Sequence, residues 1–367
     1  MCYKLLVALL LALVFLQYVY TSLGGTGYLY SQGSAPLGNL GSVMGNSTST
    51  TNSVKHAPLF PPVTSIDSLA GNSDYRKDVK NLTAWIFSQI TPVNSAQPIE
   101  LCPLVPPNLV GVLGAFKDGG SLSDVESRIG DTLLPGGQWR PSGCKARDKV
   151  AIIVPYRDRV EQLSVFLANM HPYLQRQLID YGIFIIEQAG IGDFNRAMLL
   201  NVGFVEALGL REFDCFIFHD VDLLPEDDRN LYTCPDQPRH MSVAVDVFNY
   251  RLPYSDIFGG VSAMTKEQFE KVNGFSNMFW GWGGEDDDMA TRIKVAGYHI
   301  TRYPVSIARY TMLPHTKQKA NPKRFENLYN GKKRIKIDGL NSLQYRRVEM
   351  RLSKLFTWVL VELAKTN

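Results

Sequence analysis

Two acidic motifs give the clearest chemical signal in this sequence. The first, Asp220-Val221-Asp222, follows an apolar run at residues 215–218 and the single residue His219. Alternation along an extended chain places both carboxylates on one side, where they could share a hard divalent cation and the phosphates that it neutralises. A simple turn capped by aspartates is the alternative. The buried strand expected before the pair favours the cation site.

The second motif is Gly281-Trp282-Gly283-Gly284-Glu285-Asp286-Asp287-Asp288. Its glycines give backbone freedom beside a large indole, as a loop that closes over a sugar requires. A carboxylate of the acidic run could then serve as general base toward a sugar hydroxyl. Because adjacent carboxylates repel one another, a solvated loop is the alternative.

Three short apolar runs, at residues 150–154, 182–186 and 215–218, are separated by helix-like stretches such as 196–208. This pattern predicts an α/β fold with a mostly parallel central sheet built from βαβ units. Such sheets bind ligands beyond the carboxyl ends of their strands, where residues 155–159, 187–190 and 219–222 fall. No Walker loop or G-x-G-x-x-G motif is present, so a nucleotide would be held in another way.

The chain has 367 residues, is 45% apolar and 20% charged, and carries a net charge of +3. A sizeable core is therefore expected, and the small net charge gives no basis for a nucleic-acid partner. The basic residues at 332–336 are interpreted as a solvated face.

The N-terminal region predicts a membrane anchor. Residues 1–4 form a cytosolic tail with Lys4, and the uncharged residues 5–23 are long enough for a transmembrane signal-anchor in type II orientation. A cleaved signal peptide is the alternative. Residues 24–98 are rich in polar and small residues and are predicted to be a flexible stem, with glycosylation sequons at Asn46 and Asn81. Residues 99–367 form the predicted lumenal domain.

Five cysteines are present, none in a C-x-x-C pair: Cys2, Cys102, Cys144, Cys215 and Cys234. The last four suggest two disulfides in a lumenal domain, and pairing of nearest neighbours gives Cys102–Cys144 and Cys215–Cys234. Sequence alone allows three connectivities, and four free thiols would be expected in a cytosolic chain.

Several motifs between residues 102 and 345 resemble, in order, the β1,4-galactosyltransferase family. They are residues 150–159, Phe194-Asn195-Arg196-Ala197, Phe218-His219-Asp220-Val221-Asp222-Leu223, Phe258-Gly259-Gly260-Val261-Ser262-Ala263, the Trp-Gly-Gly-Glu-Asp-Asp-Asp run and Asp338-Gly339-Leu340-Asn341-Ser342. The resemblance implies a GT-A type nucleotide-sugar-binding fold, Golgi localisation as a single-pass type II membrane protein, and the same two disulfides.

The resemblance also implies a donor site and a metal site. Donor-binding residues would be Pro155, Tyr156 (where the family usually has Phe), Arg157, Arg159, Phe194, Arg196, Asp220, Val221, Asp222, Trp282 and His315. Mn²⁺ would be the cofactor, held by Asp222, Met312 and His315. From the residues alone, Met312 would be interpreted as core filler, since a thioether is a poor ligand for a hard ion, and His315 as structural.

On the acceptor side, the resemblance implies that Asp286 is the catalytic base. Acceptor-binding residues would be Tyr254, Trp282, Gly284, Glu285, Asp286, Arg324, Phe325 and Leu328. The expected reaction is transfer, with inversion, to the 4-hydroxyl of a terminal β-GlcNAc on a glycoprotein or glycolipid.

One position bears on the identity of the sugar. Galactose-transferring members of the family carry Tyr immediately before Phe-Gly-Gly, and this chain has Ile257. An aliphatic side chain has no hydroxyl to crowd a 2-N-acetyl group, so the hypothesis favours UDP-GalNAc as donor, with UDP-Gal as the alternative. A glycoside hydrolase and a non-catalytic, calcium-dependent lectin are remote alternatives, since neither needs a nucleotide-type sheet followed by D-x-D.

Overall fold

A computed structural model describes residues 99–316 and 318–365 of the chain. The predicted tail, anchor and stem (1–4, 5–23 and 24–98) and the sequons at Asn46 and Asn81 lie outside these residues. No helix within the described ranges is long and apolar enough to cross a membrane.

Eleven strands and six α-helices are found in the described part of the chain. The strands are β1 (Gln138–Trp139), β2 (Lys149–Tyr156), β3 (Asp180–Gln188), β4 (Cys215–His219), β5 (Leu223–Pro225), β6 (Arg239–His240), β7 (Ala244–Val245), β8 (Val261–Thr265), β9 (Arg309–Met312), β10 (Tyr345–Leu352) and β11 (Thr357–Leu363). The helices are α1 (Leu122–Ile129), α2 (Val160–Arg176), α3 (Arg196–Leu210), α4 (Lys266–Lys271), α5 (Glu285–Val295) and α6 (Arg324–Arg334).

The main sheet has the order β10-β11-β3-β2-β4-β8-β6, and β1 also pairs with β3. Its centre, β11-β3-β2-β4, is parallel, as predicted for the three apolar runs, which became β2, β3 and β4. The outer strands β10, β8, β6 and β1 all pair antiparallel, so the prediction of a mostly parallel sheet was wrong and the sheet is mixed. Continuous apolar runs identify only strands buried on both faces, and a strand such as β10 alternates between exposed and half-buried side chains.

Helices cover both faces of this sheet. Alternate side chains of β2 enter opposite layers: Val150 and Ile152 pack in a core with residues of α2, whereas Ala151 and Ile153 pack in a core with residues of α3. This division follows from the two-residue period of a strand. The α/β prediction is therefore confirmed as a three-layer arrangement.

A second, three-stranded sheet of order β5-β9-β7 lies just beyond the end of β4. Its antiparallel register pairs Leu223 with Met312, so Met312 is adjacent to the residue that follows Asp222. Because Leu223 and Met312 are far apart in the sequence, their contact could not be predicted from it.

Both predicted disulfides are present. Cys102 is bonded to Cys144, and Cys215, the first residue of β4, is bonded to Cys234. Pairing of nearest neighbours was thus the correct choice among the three connectivities.

Candidate active site

The loop after β4 is fixed by a buried histidine. The His219 ring contacts the Asp220 carbonyl through Nδ1 and the Tyr232 hydroxyl through Nε2, both at 2.8 Å. The backbone N–H of Asp220 donates to Gly260 O at 3.1 Å, and the N–H of Leu313 donates to Asp222 O at 2.7 Å. Asp220-Val221-Asp222 is therefore anchored to both neighbouring sheets.

The two aspartates of this loop have different partners. Asp220 Oδ1 lies 2.6 Å from Arg196 Nε, and Asp222 Oδ2 lies 2.8 Å from His315 Nδ1. Burial and the nearby negative charge of Asp220 raise the pKa of Asp222 to about 6. The simple expectation that both carboxylates share one cation is not what the structure shows, because Asp220 already has a cationic partner.

Asp222, His315 and Met312 are the residues here that could hold a metal ion. A carboxylate and an imidazole suit a divalent transition metal, and the raised pKa of Asp222 indicates negative charge that a cation would stabilise. Within the described residues, no group of three His, Cys, Asp or Glu side chains is arranged to bind a metal, so a site here depends on the Met312 thioether and on ligands from outside the protein. The donor set fits an ion that takes its remaining ligands from phosphates and water.

The segment that follows β2 contributes two arginines to the same edge. The Arg157 guanidinium lies over the Phe194 ring at 5.2 Å and donates to Gly192 O at 2.8 Å. Arg159 Nη2 donates to Thr316 O at 3.0 Å, next to His315. The structure thus brings Arg157, Arg159 and Phe194 to the edge where the D-x-D loop lies.

Tyr156, the last residue of β2, is buried, and its hydroxyl accepts a hydrogen bond from the Arg159 N–H at 3.2 Å. The Tyr156 side chain therefore stabilises the turn that carries Arg157 and Arg159. Pro155 precedes it on the buried strand.

The acidic run of the second motif is the first turn of α5, so the interpretation as a solvated loop was wrong. Gly284 caps the helix with φ 99°, and a side chain there would also meet the Phe279 ring at 2.8 Å. Acidic residues are favoured in a first helical turn, where the helix dipole is positive. The helix N-terminus explains how four adjacent carboxylates are tolerated.

Successive helical residues point in different directions, so the four acids have four environments. The Glu285 side chain is largely buried, its Oε2 has no hydrogen-bond partner, and burial together with Asp286 raises its pKa to about 7. Burial and the Asp287 charge raise the pKa of Asp286. Asp287 accepts from the Tyr254 hydroxyl at 2.8 Å, and Asp288 pairs with buried Arg292 at 2.6 Å. Only Glu285 and Asp286 remain for site chemistry.

Arg196, the first residue of α3, connects the two motifs. Its guanidinium contacts Asp220 at 2.6 Å and Glu285 Oε1 at 3.7 Å. Burial acts to lower the pKa of Arg196, but Asp220 and Glu285 raise it above the ordinary value. One permanently charged side chain therefore lies between the D-x-D loop and the acidic helix.

The Trp282 side chain, 60% exposed, lies beside the start of α6. The backbone N–H of Trp282 donates to Lys319 O at 3.3 Å, and its backbone carbonyl accepts from the Asn321 N–H at 3.0 Å. Arg324, Phe325 and Leu328 follow on α6, with the Arg324 guanidinium 4.3 Å from the centre of the Phe325 ring. The Trp282 backbone is thus hydrogen-bonded to the segment that leads into α6, the helix that carries Arg324, Phe325 and Leu328.

Two family models match consecutive parts of the chain. The N-terminal region of glycosyl transferase group 7 matches residues 102–235, and the N-terminal domain of galactosyltransferase matches residues 239–316. β-1,4-Galactosyltransferase 2 of Mus musculus is 44% identical over 327 residues, which are 86% of each chain. The chain belongs to the β1,4-galactosyltransferase family.

Other members of the family show the same similarity. β-1,4-Galactosyltransferase 3 of Cricetulus griseus is 49% identical over 267 residues, 71% of this chain and 67% of that relative. A crystal structure of a variant of Drosophila β1,4-galactosyltransferase 7, in complex with manganese, UDP-Gal and xylobiose, covers 60% of this chain and 95% of its own. It is 31% identical with a TM-score of 0.52, which supports the fold described above.

For three residues of this chain that contact the site or its neighbouring backbone, the sequence predicted no role: Gly259, His240 and Arg302. A side chain at Gly259 would meet Asp286 Oδ2 at 2.5 Å, so only glycine allows this approach. His240 and Arg302 hold the backbone on either side of Ile257. The Phe-Gly-Gly motif was a signal for Gly259, whereas isolated His and Arg residues gave none.

Proposed function

We propose that this protein is a manganese-dependent, inverting β1,4-glycosyltransferase that transfers a sugar from a UDP-sugar to the 4-hydroxyl of a terminal β-GlcNAc. The observation that carries the proposal is the position of Arg196, 2.6 Å from Asp220 and 3.7 Å from Glu285. This side chain joins a phosphate-and-metal motif to a helix of poised carboxylates, as transfer from a nucleotide sugar requires.

Asp222, His315 and Met312 would hold Mn²⁺. When bound, this ion would supply Lewis-acid stabilisation of the diphosphate leaving group. Arg157, Arg159 and Arg196 add positive charge for the same oxygens, and Phe194 and Trp282 offer flat surfaces for the uridine and the sugar. Pro155, Tyr156, Asp220 and Val221 complete the proposed donor-binding set.

Asp286 is the proposed general base, because burial raises its pKa and the absence of a side chain at Gly259 makes room for its carboxylate. Asp286 accepts the proton of the acceptor 4-hydroxyl as that oxygen bonds to the anomeric carbon. The bond from that carbon to UDP breaks, and UDP leaves with the electron pair. Attack on the face opposite UDP converts an α-linked donor into a β-linked product.

Tyr254, Trp282, Gly284 and Glu285 are proposed to seat the acceptor GlcNAc, with Arg324, Phe325 and Leu328 around its N-acetyl group. Glu285 is suited to this role because its Oε2 is buried and has no hydrogen-bond partner within the described structure. A sugar hydroxyl would supply the donor that this oxygen lacks.

The relatives support galactose as the transferred sugar. Family members at 44–49% identity are named β-1,4-galactosyltransferases, so UDP-Gal is the first candidate donor. UDP-GalNAc is the second candidate, and the observation that favours it is Ile257. This residue lies two positions before Gly259, which faces Asp286, and its aliphatic side chain has no hydroxyl to crowd a 2-N-acetyl group.

We also propose that the protein works in the Golgi lumen on glycoprotein or glycolipid glycans, anchored by residues 5–23 through a stem of residues 24–98. The two disulfides support an oxidising compartment. The uncharged N-terminal run and the sequons at Asn46 and Asn81 support lumenal exposure. The catalytic part would be residues 99–367.

The proposal is tested by incubating the purified full-length chain with a GlcNAc-terminated acceptor and either UDP-Gal or UDP-GalNAc. We expect a β1,4-linked disaccharide terminus by NMR, with transfer abolished by EDTA and restored by Mn²⁺. Metal-independent transfer, or an α-linked product, would contradict the proposed mechanism.

The ratio of rates with the two donors, measured for wild type and Ile257→Tyr, decides between the candidates. A shift toward UDP-Gal in Ile257→Tyr supports the second candidate. A strong preference for UDP-Gal that this substitution leaves unchanged excludes it.

A further inference from the structure

Arg302 binds the backbone of the segment that carries Ile257. It lies between α5 and β9, outside both acidic motifs. Its Nη2 donates to Ser255 O and to Ile257 O, each at 2.8 Å. Charge-assisted hydrogen bonds of this length are stronger than neutral ones. The backbone on both sides of Asp256 is therefore held by one guanidinium group.

The same arginine also acts through His240. Arg302 Nε donates to His240 Nδ1 at 3.2 Å, which leaves the proton of a neutral imidazole on Nε2. His240 Nε2 then donates to Gly259 O at 3.1 Å, and the Ser242 hydroxyl donates to the same oxygen at 3.2 Å. The carbonyls of residues 255, 257 and 259 are thus bound by one connected group of side chains.

The opposite side of this segment faces α5. The Tyr254 hydroxyl donates to Asp287 at 2.8 Å, and Lys294 Nζ lies 2.6 Å from Asp256 Oδ2. Gly259 approaches Asp286 so closely that a methyl group would clash. Residues 254–259 are therefore held between the acidic helix on one side and the Arg302–His240 pair on the other.

We propose that Arg302 is a positioning residue for donor selection. By fixing the backbone carbonyls around residue 257, it sets how far the Ile257 side chain extends toward the substituent at carbon 2 of the donor sugar. The chemistry that it selects between is a 2-hydroxyl and a 2-N-acetyl group. This inference depends on the proposed function, since it requires a UDP-sugar in the site.

The test measures kcat/KM for UDP-Gal and for UDP-GalNAc with the full-length wild type, Arg302→Met and Arg302→Lys. In Arg302→Met, we expect the ratio of the two values to move at least fivefold toward one, because residue 257 loses its fixed position. Arg302→Lys keeps a charged donor for the carbonyls but loses the second nitrogen that contacts His240, so a smaller shift of at least twofold is expected. The affinity for UDP with Mn²⁺ should stay within twofold in both variants.

Two matched controls separate positioning from a general structural effect. Lys294→Met removes the exposed ion pair to Asp256 on the same segment but leaves the carbonyls held. Arg128→Met removes another arginine that donates to a backbone carbonyl, that of Gly119, in a different part of the fold. Both variants should keep the donor ratio of wild type within twofold.

An unchanged ratio in a folded Arg302→Met protein, with both rates lowered equally, would overturn the inference and assign Arg302 a purely structural role. If Arg302→Met does not fold, Arg302→Lys decides, and an unchanged ratio in it has the same meaning. A wild type that does not discriminate between the donors also overturns it. Absence of transfer from either donor contradicts the proposed function instead, which distinguishes the two failures.

Discussion

The two acidic motifs are similar in composition but adopt different local structures. Asp220 and Asp222 lie in a loop between two sheets, and each carboxylate contacts one basic side chain, Arg196 or His315. The acids of α5 are consecutive on a helix, and each turns to a different environment. One of them, Asp288, forms a buried ion pair with Arg292 and takes no part in the site.

This difference shows that secondary structure determines which environment each acidic side chain enters. In a loop after a strand, two aspartates separated by one residue stay close enough for the charge of one to raise the pKa of the other. In a helix, a rotation of about 100° per residue separates neighbours. Each of the following predictions tests whether these assigned environments correspond to distinct functions.

The largest expected effect is that of Asp286→Asn. Loss of the general base should lower kcat by about 10³-fold, since general-base catalysis contributes roughly 10²–10⁴-fold. The affinity for UDP with Mn²⁺, measured by calorimetry, should be unchanged within twofold because the D-x-D loop is intact. Asp287→Asn is the control, with an expected loss of only a few fold; retained turnover in Asp286→Asn would exclude this residue as the base.

The next effect is on stability. Asp288→Ala should lower the free energy of unfolding by about 3 kcal/mol, because it removes one partner of a fully buried Arg292 charge. Urea unfolding at pH 7 measures this change. Asp287→Ala, on the same helix, should cost less than about 1 kcal/mol, since it loses one hydrogen bond to Tyr254. Equal costs would mean that the four acids are not divided as described.

Asp222→Asn tests the metal assignment. Changes to residues that only support a ligand typically weaken metal binding by about 10–100-fold, so loss of a ligand should weaken Mn²⁺ binding at least as much. The Mn²⁺ concentration that gives half-maximal activity measures this effect. Asp220→Asn is the matched control and should change that concentration less; the reverse order would move the metal to Asp220.

The smallest effect concerns Glu285, whose pKa in the folded protein is about 7 against an ordinary 4.5. The folded protein therefore binds a proton that the unfolded chain releases, and this contribution to stability is lost as pH rises from about 4.5 to about 7. Glu285→Gln should match wild type at pH 5 and be more stable by on the order of 2 kcal/mol at pH 8. A stability difference independent of pH would contradict the raised pKa.

The central strands, the α/β class and the disulfide pairing were predictable because each depends on local pattern or short separation. Residues 150–154, 182–186 and 215–218 are apolar because their strands are buried on both faces, and that leaves an unmistakable run. The antiparallel strands were not predictable in the same way. Strand β10, which pairs only with β11, is polar on alternate positions and resembles loop sequence.

The parts of the candidate site that lie within sequence motifs could be predicted. From residues alone, the D-x-D pair could be nominated for a metal site and one carboxylate of the acidic run for a general base. The choice of Asp286, and of Met312 and His315 as ligands, came from family resemblance. The proximity of Met312 to Asp222 depends on the register between β5 and β9. The helical start at Gly284 was missed because a run of acids reads as solvated loop unless its position at a helix N-terminus is known. Arg302 and His240 act on backbone carbonyls, which leave no trace in sequence.

Strand β4 lies at the boundary between the parallel and the antiparallel part of the main sheet, which we call the seam. It is parallel to β2 on one side and antiparallel to β8 on the other. The arginines proposed for the nucleotide follow β2, and the segment with Ile257 leads into β8. A substitution at residue 257 therefore changes none of the residues that pair β2 with β3 and β4. Over evolutionary time, this seam would let a lineage keep one way of activating a sugar while it changes which sugar it transfers.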